Sequence, residues 1–248
     1  MPMRVAIVST ETTGLTPADE PVSIGLLLVE VSPRAGGLLR EVAEYYGSQE
    51  PTVPISAAAT DTHGLTADML RGRRFDLGAI RAIIDDADVL VAHGAAFNAR
   101  MLEKVLPGIR DKRWRCSVRQ VRWSQYFHAA NHKLDTLCEQ LHIFRPRPQV
   151  ALDDCLALSK LLFRPISATQ QATPMGFLLA EADFAMSAAP PAGSSPAPPP
   201  AAPPPEAATS WLPQVEASQH GPGRGLVMAA VILMLFAGAV IWPDLFPW

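Results

Sequence analysis

The sequence predicts an α/β domain built on a mixed sheet and followed by a tail of different character. Three observations predict it. Three runs of β type crowd the first 46 residues. Apolar residues at helical spacing then alternate with a short apolar strand. Near residue 185 the composition changes abruptly from that of a globular domain to one dominated by Pro, Ala, Ser and Gly. In chain order, residues 4–10 (RVAIVST) form a short β-branched run of the buried-strand type, and 22–31 (VSIGLLLVEV) follow after a turn rich in Pro and Asp. Residues 38–46 alternate in part and make a third strand, so the sheet opens as an antiparallel meander. Leu77, Ile80, Ile83 and Ile84 share a helical face over 76–86, and 89–92 is a short apolar strand. Met101, Leu102 and Val105 mark a helix over 97–106, and two more amphipathic helices span 134–141 and 151–163. Strands first, then helices alternating with strands, place the domain in the α/β class.

The domain is expected over 1–165, with an extension over 166–186. Residues 187–223 carry eleven prolines, a composition too poor in apolar surface to offset the entropy of ordering, so a disordered linker is expected over 187–224. Leu226 to Trp242 (LVMAAVILMLFAGAVIW) is seventeen residues without a charge. That is the short end of the ~17–25 needed to cross a bilayer, and a single C-terminal membrane helix is expected over 225–242 with a short tail over 243–248. The start, MPMRVAIVST, has one charge and then a strand, which is no targeting pattern. The expected arrangement is therefore a single-pass anchor with the domain in the cytoplasm. Three cysteines without CxxC spacing argue against a zinc cluster or disulfide framework. Net charge is −3, but residues 1–99 hold seven Lys/Arg against thirteen Asp/Glu, whereas 100–147 hold eleven against four. Such a basic segment is what a polyanion-binding face needs, and equally what a solvated surface looks like.

Chemistry concentrates in three places. A strand runs into Ser9-Thr10-Glu11-Thr12-Thr13-Gly14-Leu15; His93-Gly-Ala-Ala-Phe97-Asn98 follows the strand at 89–92; and Gln149-Val-Ala-Leu-Asp153-Asp154 opens the last helix. Between them lie Val53-Pro-Ile-Ser and Asp61-Thr-His63-Gly-Leu-Thr, and the helix Leu134-Asp-Thr-Leu-Cys-Glu-Gln-Leu141. In this order the landmarks resemble the DEDD exonucleases, in the histidine-bearing subgroup that includes the proofreading epsilon subunit of bacterial DNA polymerase III. The family patterns are Asp-x-Glu-Thr-Thr-Gly-Leu, His-Asn-Ala-x-Phe-Asp and His-x-Ala-x-x-Asp. The resemblance covers Val5 to about Leu162 and implies a ribonuclease H-like exonuclease fold: a mixed five-stranded sheet, its second strand antiparallel to the rest, with helices on both sides.

The resemblance also implies a site. In the family, two Mg or Mn ions about 4 Å apart hold the attacking and leaving oxygens of a phosphodiester, bound by four carboxylates, and a histidine deprotonates the water. Here Glu11 and Asp154 stand at family positions and are the expected metal ligands. Ser9 replaces the bridging aspartate, Asn98 replaces another with the shape but not the charge, and Gln149, which has no proton titrating near pH 7, replaces the histidine. Metal binding is expected to be weak or absent. Thr12, Thr13, Gly14, Leu15, His63, His93 and Phe97 correspond to nucleic-acid contacts. Each has a plainer reading as well: Glu11 as a carboxylate after a strand, Asp154 as a helix-surface partner of Asp153, and the two histidines as satisfied loop residues. Asp153 is a candidate substitute ligand, although it projects about 100° from Asp154 on a helix. The expected function is a membrane-tethered binder of single-stranded DNA or RNA 3′ ends or of nucleotides, with little or no nuclease activity. A working metal-dependent exonuclease and a protein-interaction scaffold are the alternatives.

Overall fold

The apolar, β-branched run at the N-terminus forms β1 (Met3–Thr12), which lies at the centre of a five-stranded sheet ordered β3-β2-β1-β4-β5. A computed structural model describes residues 1–32, 36–147, 150–167 and 172–181. β2 (Pro21–Val31) pairs antiparallel with β1 and with β3 (Leu38–Ser48). β4 (Val89–Ala92) and β5 (Trp114–Cys116) pair parallel, so β2 alone runs against the other strands. The helices are α1 (Ala57–His63), α2 (Ala67–Leu70), α3 (Leu77–Asp86), α4 (Ala95–Glu103), α5 (Ser117–Gln120), α6 (Trp123–Phe127), α7 (Leu134–Gln140), α8 (Ala151–Leu162) and α9 (Pro174–Ala180).

Alternation along β1 divides the core. Val5 and Ile7, with Leu27, Val29, Val89 and Val91, face the side covered by Leu137 of α7, by Cys155, Leu158 and Leu161 of α8, and by Met175 and Leu178 of α9. Ala6 and Val8 face the opposite side, packed with Ile80 and Ile84 of α3 and Ala99 and Leu102 of α4. The expected helices on both faces are therefore present. β5 was not legible from hydropathy, nor was α1, whose Ala-Ala-Ala-Thr-Asp-Thr-His run buries no residue and is held by its ends. There the Ser56 hydroxyl accepts from Ala59 N–H, and Gly64 closes the helix at φ 72°.

Gly25 of β2 sets the position of α8. A Cβ there would meet the carbonyl carbon of Ala151 at 2.3 Å, so only glycine lets the first turn of α8 lie directly on the strand. Gly25 is also the ladder partner of Ser9. The head of α8 thus crosses the sheet at Ser9.

Arg115 corrects one expectation. It was counted with the basic face, yet it is 1% exposed. Its Nε donates to the Leu178 carbonyl at 2.7 Å and its Nη2 to that of Glu181 at 2.8 Å, tying the end of α9 to β5. Among the described residues no helix is long and apolar enough to cross a membrane. The expected linker, the expected membrane helix over 226–242 and Gln149 lie outside the described residues.

Candidate functional site

The period of two that builds β1 puts Ser9 and Glu11 on the face toward α8. Because Gly25 lets α8 start there, Asp154, on its first turn, comes within electrostatic range of Glu11. Both carboxyls are interior, Glu11 8% and Asp154 6% exposed. A residue that the motifs do not contain acts on both. Arg145, from the segment joining α7 to α8, donates through Nε to Asp154 Oδ1 at 2.8 Å, while its Nη2 lies 2.7 Å from the same oxygen. Its Nη1 bonds Asp135 of α7. Burial pushes Glu11 up to about 8, the charge of Asp154 adds to that rise, and Arg145 opposes it. Glu11 is therefore largely protonated at pH 7. Asp153 is equally interior, but a different arginine holds it, Arg147, with Nε 2.8 Å from Oδ2.

On the other face of β1, Thr10 Oγ1 donates to Asn98 Oδ1 at 3.0 Å, and Asn98 Nδ2 donates to the Gly94 carbonyl at 3.2 Å. Asn98 is thus an amide held through both its oxygen and its nitrogen at the head of α4, where Gly94 takes a left-handed φ of 101°. Beside it opens a cavity of about 220 Å³. Glu11, Thr12, Gly14, Leu15, His63 and Phe97 line it, with Thr10, Ser56, Ala58, Ala59 and Thr62. Leu15 is 79% exposed and forms its lip, and the Arg100 guanidinium lies 5.3 Å from the Phe97 ring centroid.

Most of the expected contact residues meet at this cavity. Two do not. Thr13 is fully buried and shapes the loop, donating to Asp19 Oδ1 at 2.8 Å and accepting from Glu20 N–H. His93 Nε2 donates to the His132 carbonyl at 2.6 Å, and its Nδ1 lies 2.8 Å from Ser117 Oγ. Burial lowers its pKa, so it is a neutral strut between β4, α5 and the 128–133 segment. His63 combines both readings. Leu65 N–H donates to Nδ1 and Nε2 donates to the Thr12 carbonyl at 3.1 Å, so it pins α1 to the end of β1 while one side faces the cavity.

The donor set does not fit a pair of divalent ions. Magnesium favours hard anionic oxygens, and here one position is a hydroxyl, one an amide oxygen already accepting from Thr10, and Asp154 is bonded to a guanidinium. Among the described residues no three His, Cys, Asp or Glu side chains are grouped to hold a metal. Asp154, expected as a metal ligand, carries Arg145 as its counter-ion. Nothing in the sequence singled out Arg145, which was one cation among eleven in the basic segment. That segment is also less available than its composition implied. Besides Arg115 and Arg145, Arg100 donates to the Leu15 carbonyl, Lys104 to that of Pro17, and Lys112 pairs with Asp85.

No protein-family model matches the chain. Among curated proteins, DNA polymerase III PolC-type of Bacillus subtilis is 30% identical over 165 residues and that of Thermotoga maritima 27% over 164. Each match covers 64% of this chain and 11% of the relative, so the chain spans about a tenth of their length. The fold is similar to that of the zinc-bound E. coli exonuclease I–ssDNA complex, with a TM-score of 0.51 at 13% identity over 63% of this chain and 39% of that one. It is likewise similar to E. coli exonuclease I in complex with a dT13 oligonucleotide, with a TM-score of 0.50 at 13% identity over 64% and 41%. At such identities the likeness is one of fold.

Proposed function

We propose that the chain is a member of the DEDD-type 3′–5′ exonuclease family and that it binds the 3′ ends of single-stranded DNA or RNA, or nucleotides, with little or no hydrolysis. One observation carries this reading. The cavity beside Glu11 keeps its apolar wall of Leu15 and Phe97, while the partner carboxylate Asp154 is bonded to Arg145. A wall with an aromatic face suits a base, and base–aromatic stacking contributes about 1–3 kcal/mol per base without sequence preference. Hydrolysis by two ions needs a carboxylate cage, and that cage is incomplete. The structural neighbours in complex with ssDNA and with a dT13 oligonucleotide support the choice of ligand.

The test is fluorescence anisotropy of the full-length chain with a short labelled single strand. Binding should persist in EDTA, weaken as salt rises in proportion to the phosphates contacted, and fall about 5- to 160-fold in Phe97→Ala, the range of one stacking contact. No binding at low salt would sink this reading. It would favour the scaffold alternative, which the internal use of Arg100, Lys104, Arg115 and Arg145 already supports.

The tether is part of the same proposal. Residues 226–242 cross the bilayer once and leave the domain on the cytoplasmic side, a reading supported by the uncharged run behind a Pro-rich spacer. The full-length chain should then pellet with membranes and resist alkaline carbonate. A full-length chain that stays in solution without detergent would contradict it.

A further inference from the structure

We propose that Arg145 is the resident cation of this cleft: its guanidinium holds Asp154, the carboxylate that the family resemblance assigns to a metal, and it keeps divalent ions out. The inference rests on the reading that the cleft derives from a two-ion site, and it concerns metal binding rather than nucleic-acid binding.

The geometry is that of a counter-ion rather than a surface contact. Nε and Nη2 both reach Oδ1 of Asp154, at 2.8 and 2.7 Å, and Nη1 reaches across to Asp135. One planar group therefore joins the helix that carries the surviving family aspartate to the helix before it, as only a guanidinium with its fixed fork of donors does. The side chain is 5% exposed and that of Asp154 8%. Water screens such a pair little, and removing one partner leaves the other charged and desolvated. By contrast Arg147, which pairs with the buried Asp153 next door, is itself 68% exposed, so water reaches that pair from the arginine's side.

Charge balance explains why an arginine fits where two metals do not. Four carboxylates match two divalent ions. With Ser9 and Asn98 neutral, Glu11 and Asp154 remain. A single permanent positive charge, held by Asp154 and shared with the more exposed Asp135, stands against that remainder, and an arginine never loses its proton. An entering Mn²⁺ would have to take Asp154 from Arg145, strip its own water, and leave a buried guanidinium beside it with the wrong sign. Position and charge both make Arg145 a competitor for the site.

Removing the guanidinium should therefore create metal affinity. The experiment is Mn²⁺ titration calorimetry on the full-length chain in mild detergent, comparing wild type with Arg145→Ala, Arg145→Gln and Arg145→Lys. Wild type and Arg145→Lys should give no saturable heat. The two neutral variants should bind one Mn²⁺ at least about 10- to 100-fold more tightly, the range over which a single neighbour of a metal ligand acts, and Glu11→Gln added to them should abolish it. Arg145→Gln keeps a donor for Asp154 and guards against a fold lost in Arg145→Ala. A wild-type chain that binds Mn²⁺ as tightly as the variants, or two neutral variants that both leave Mn²⁺ binding unchanged, overturns the proposal. These outcomes are separate from strand binding. A wild-type chain that takes Mn²⁺ and still binds strands would remove only the Arg145 assignment, and variants that gain Mn²⁺ in a chain that binds no strand would remove only the proposed function.

Discussion

A chain carrying Ser9→Asp, Asn98→Asp, Gln149→His and Arg145→Gln together is expected to release 3′ mononucleotides from short DNA or RNA in the presence of Mg²⁺ or Mn²⁺. The reason is additive in parts and cooperative in function. Ser9 and Glu11 share one face of β1, and α8 is already laid across them by Gly25, so an aspartate at position 9 would point into the region where Asp154 sits. Asn98 is held at the head of α4 by Thr10 and Gly94, so an aspartate there would arrive in an existing position. The fourth change is the one that only the structure supplies. With Arg145 retained, the restored carboxylates still face a guanidinium rather than a metal. Removing one preorganised electrostatic group commonly costs on the order of 10²–10³ in rate. Reverting any one of the four should therefore lower the rate by about that factor, without the losses multiplying, since the groups act as a unit. Glu11→Ala in the fourfold variant should abolish turnover. A fourfold variant that is folded but inactive would show that the cleft has drifted from the family geometry.

Glu11 should leave a second, independent mark, on stability against pH. Its carboxyl rises from an ordinary 4.5 to about 8 because it is buried, with Asp154 adding to the rise. The folded chain then holds a proton that the unfolded chain has released over the window between those values. Where the native state binds more protons, stability falls as pH increases. The contribution of Glu11 is thus fully present below about pH 4.5 and is lost as pH climbs through about 8, a change on the order of a few kcal/mol. Urea midpoints of the full-length chain should decline across that range, and Glu11→Gln, which cannot ionise, should flatten the decline and be the more stable protein at pH 8.5. Equal slopes in wild type and Glu11→Gln would mean that Glu11 is solvated and ionised in the fold.

Much of this architecture was legible in the sequence where a local period existed. β1 and β2 declared themselves by continuous apolar runs buried on both faces, α3 by Ile80, Ile83 and Ile84, and α8 by its apolar stripe. Elements held by something other than a stripe did not. β5 is three residues with a buried arginine at its centre, which by hydropathy looks like surface. α1 has no apolar face, and its caps hold it. The same limit applies to the site. Helical geometry separated Asp153 from Asp154, which do take different arginines. His93 could be read two ways because composition does not tell which acceptor its nitrogens will meet. Here they meet Ser117 and His132. The Arg145–Asp154 pair joins a loop to a helix through tertiary structure, and no motif spacing marks it.

In the proposed reading the family fold persists here without the family's turnover. Its most direct test is the wild-type full-length chain incubated with short 3′-labelled single strands and Mg²⁺ or Mn²⁺, with Glu11→Ala in parallel. The expected result is no release of 3′ mononucleotides above background from either protein, while both metals leave strand binding unchanged. Metal-dependent release by wild type that disappears in Glu11→Ala would contradict the account, because it would mean that Glu11 and Asp154 assemble a working metal site in spite of Arg145.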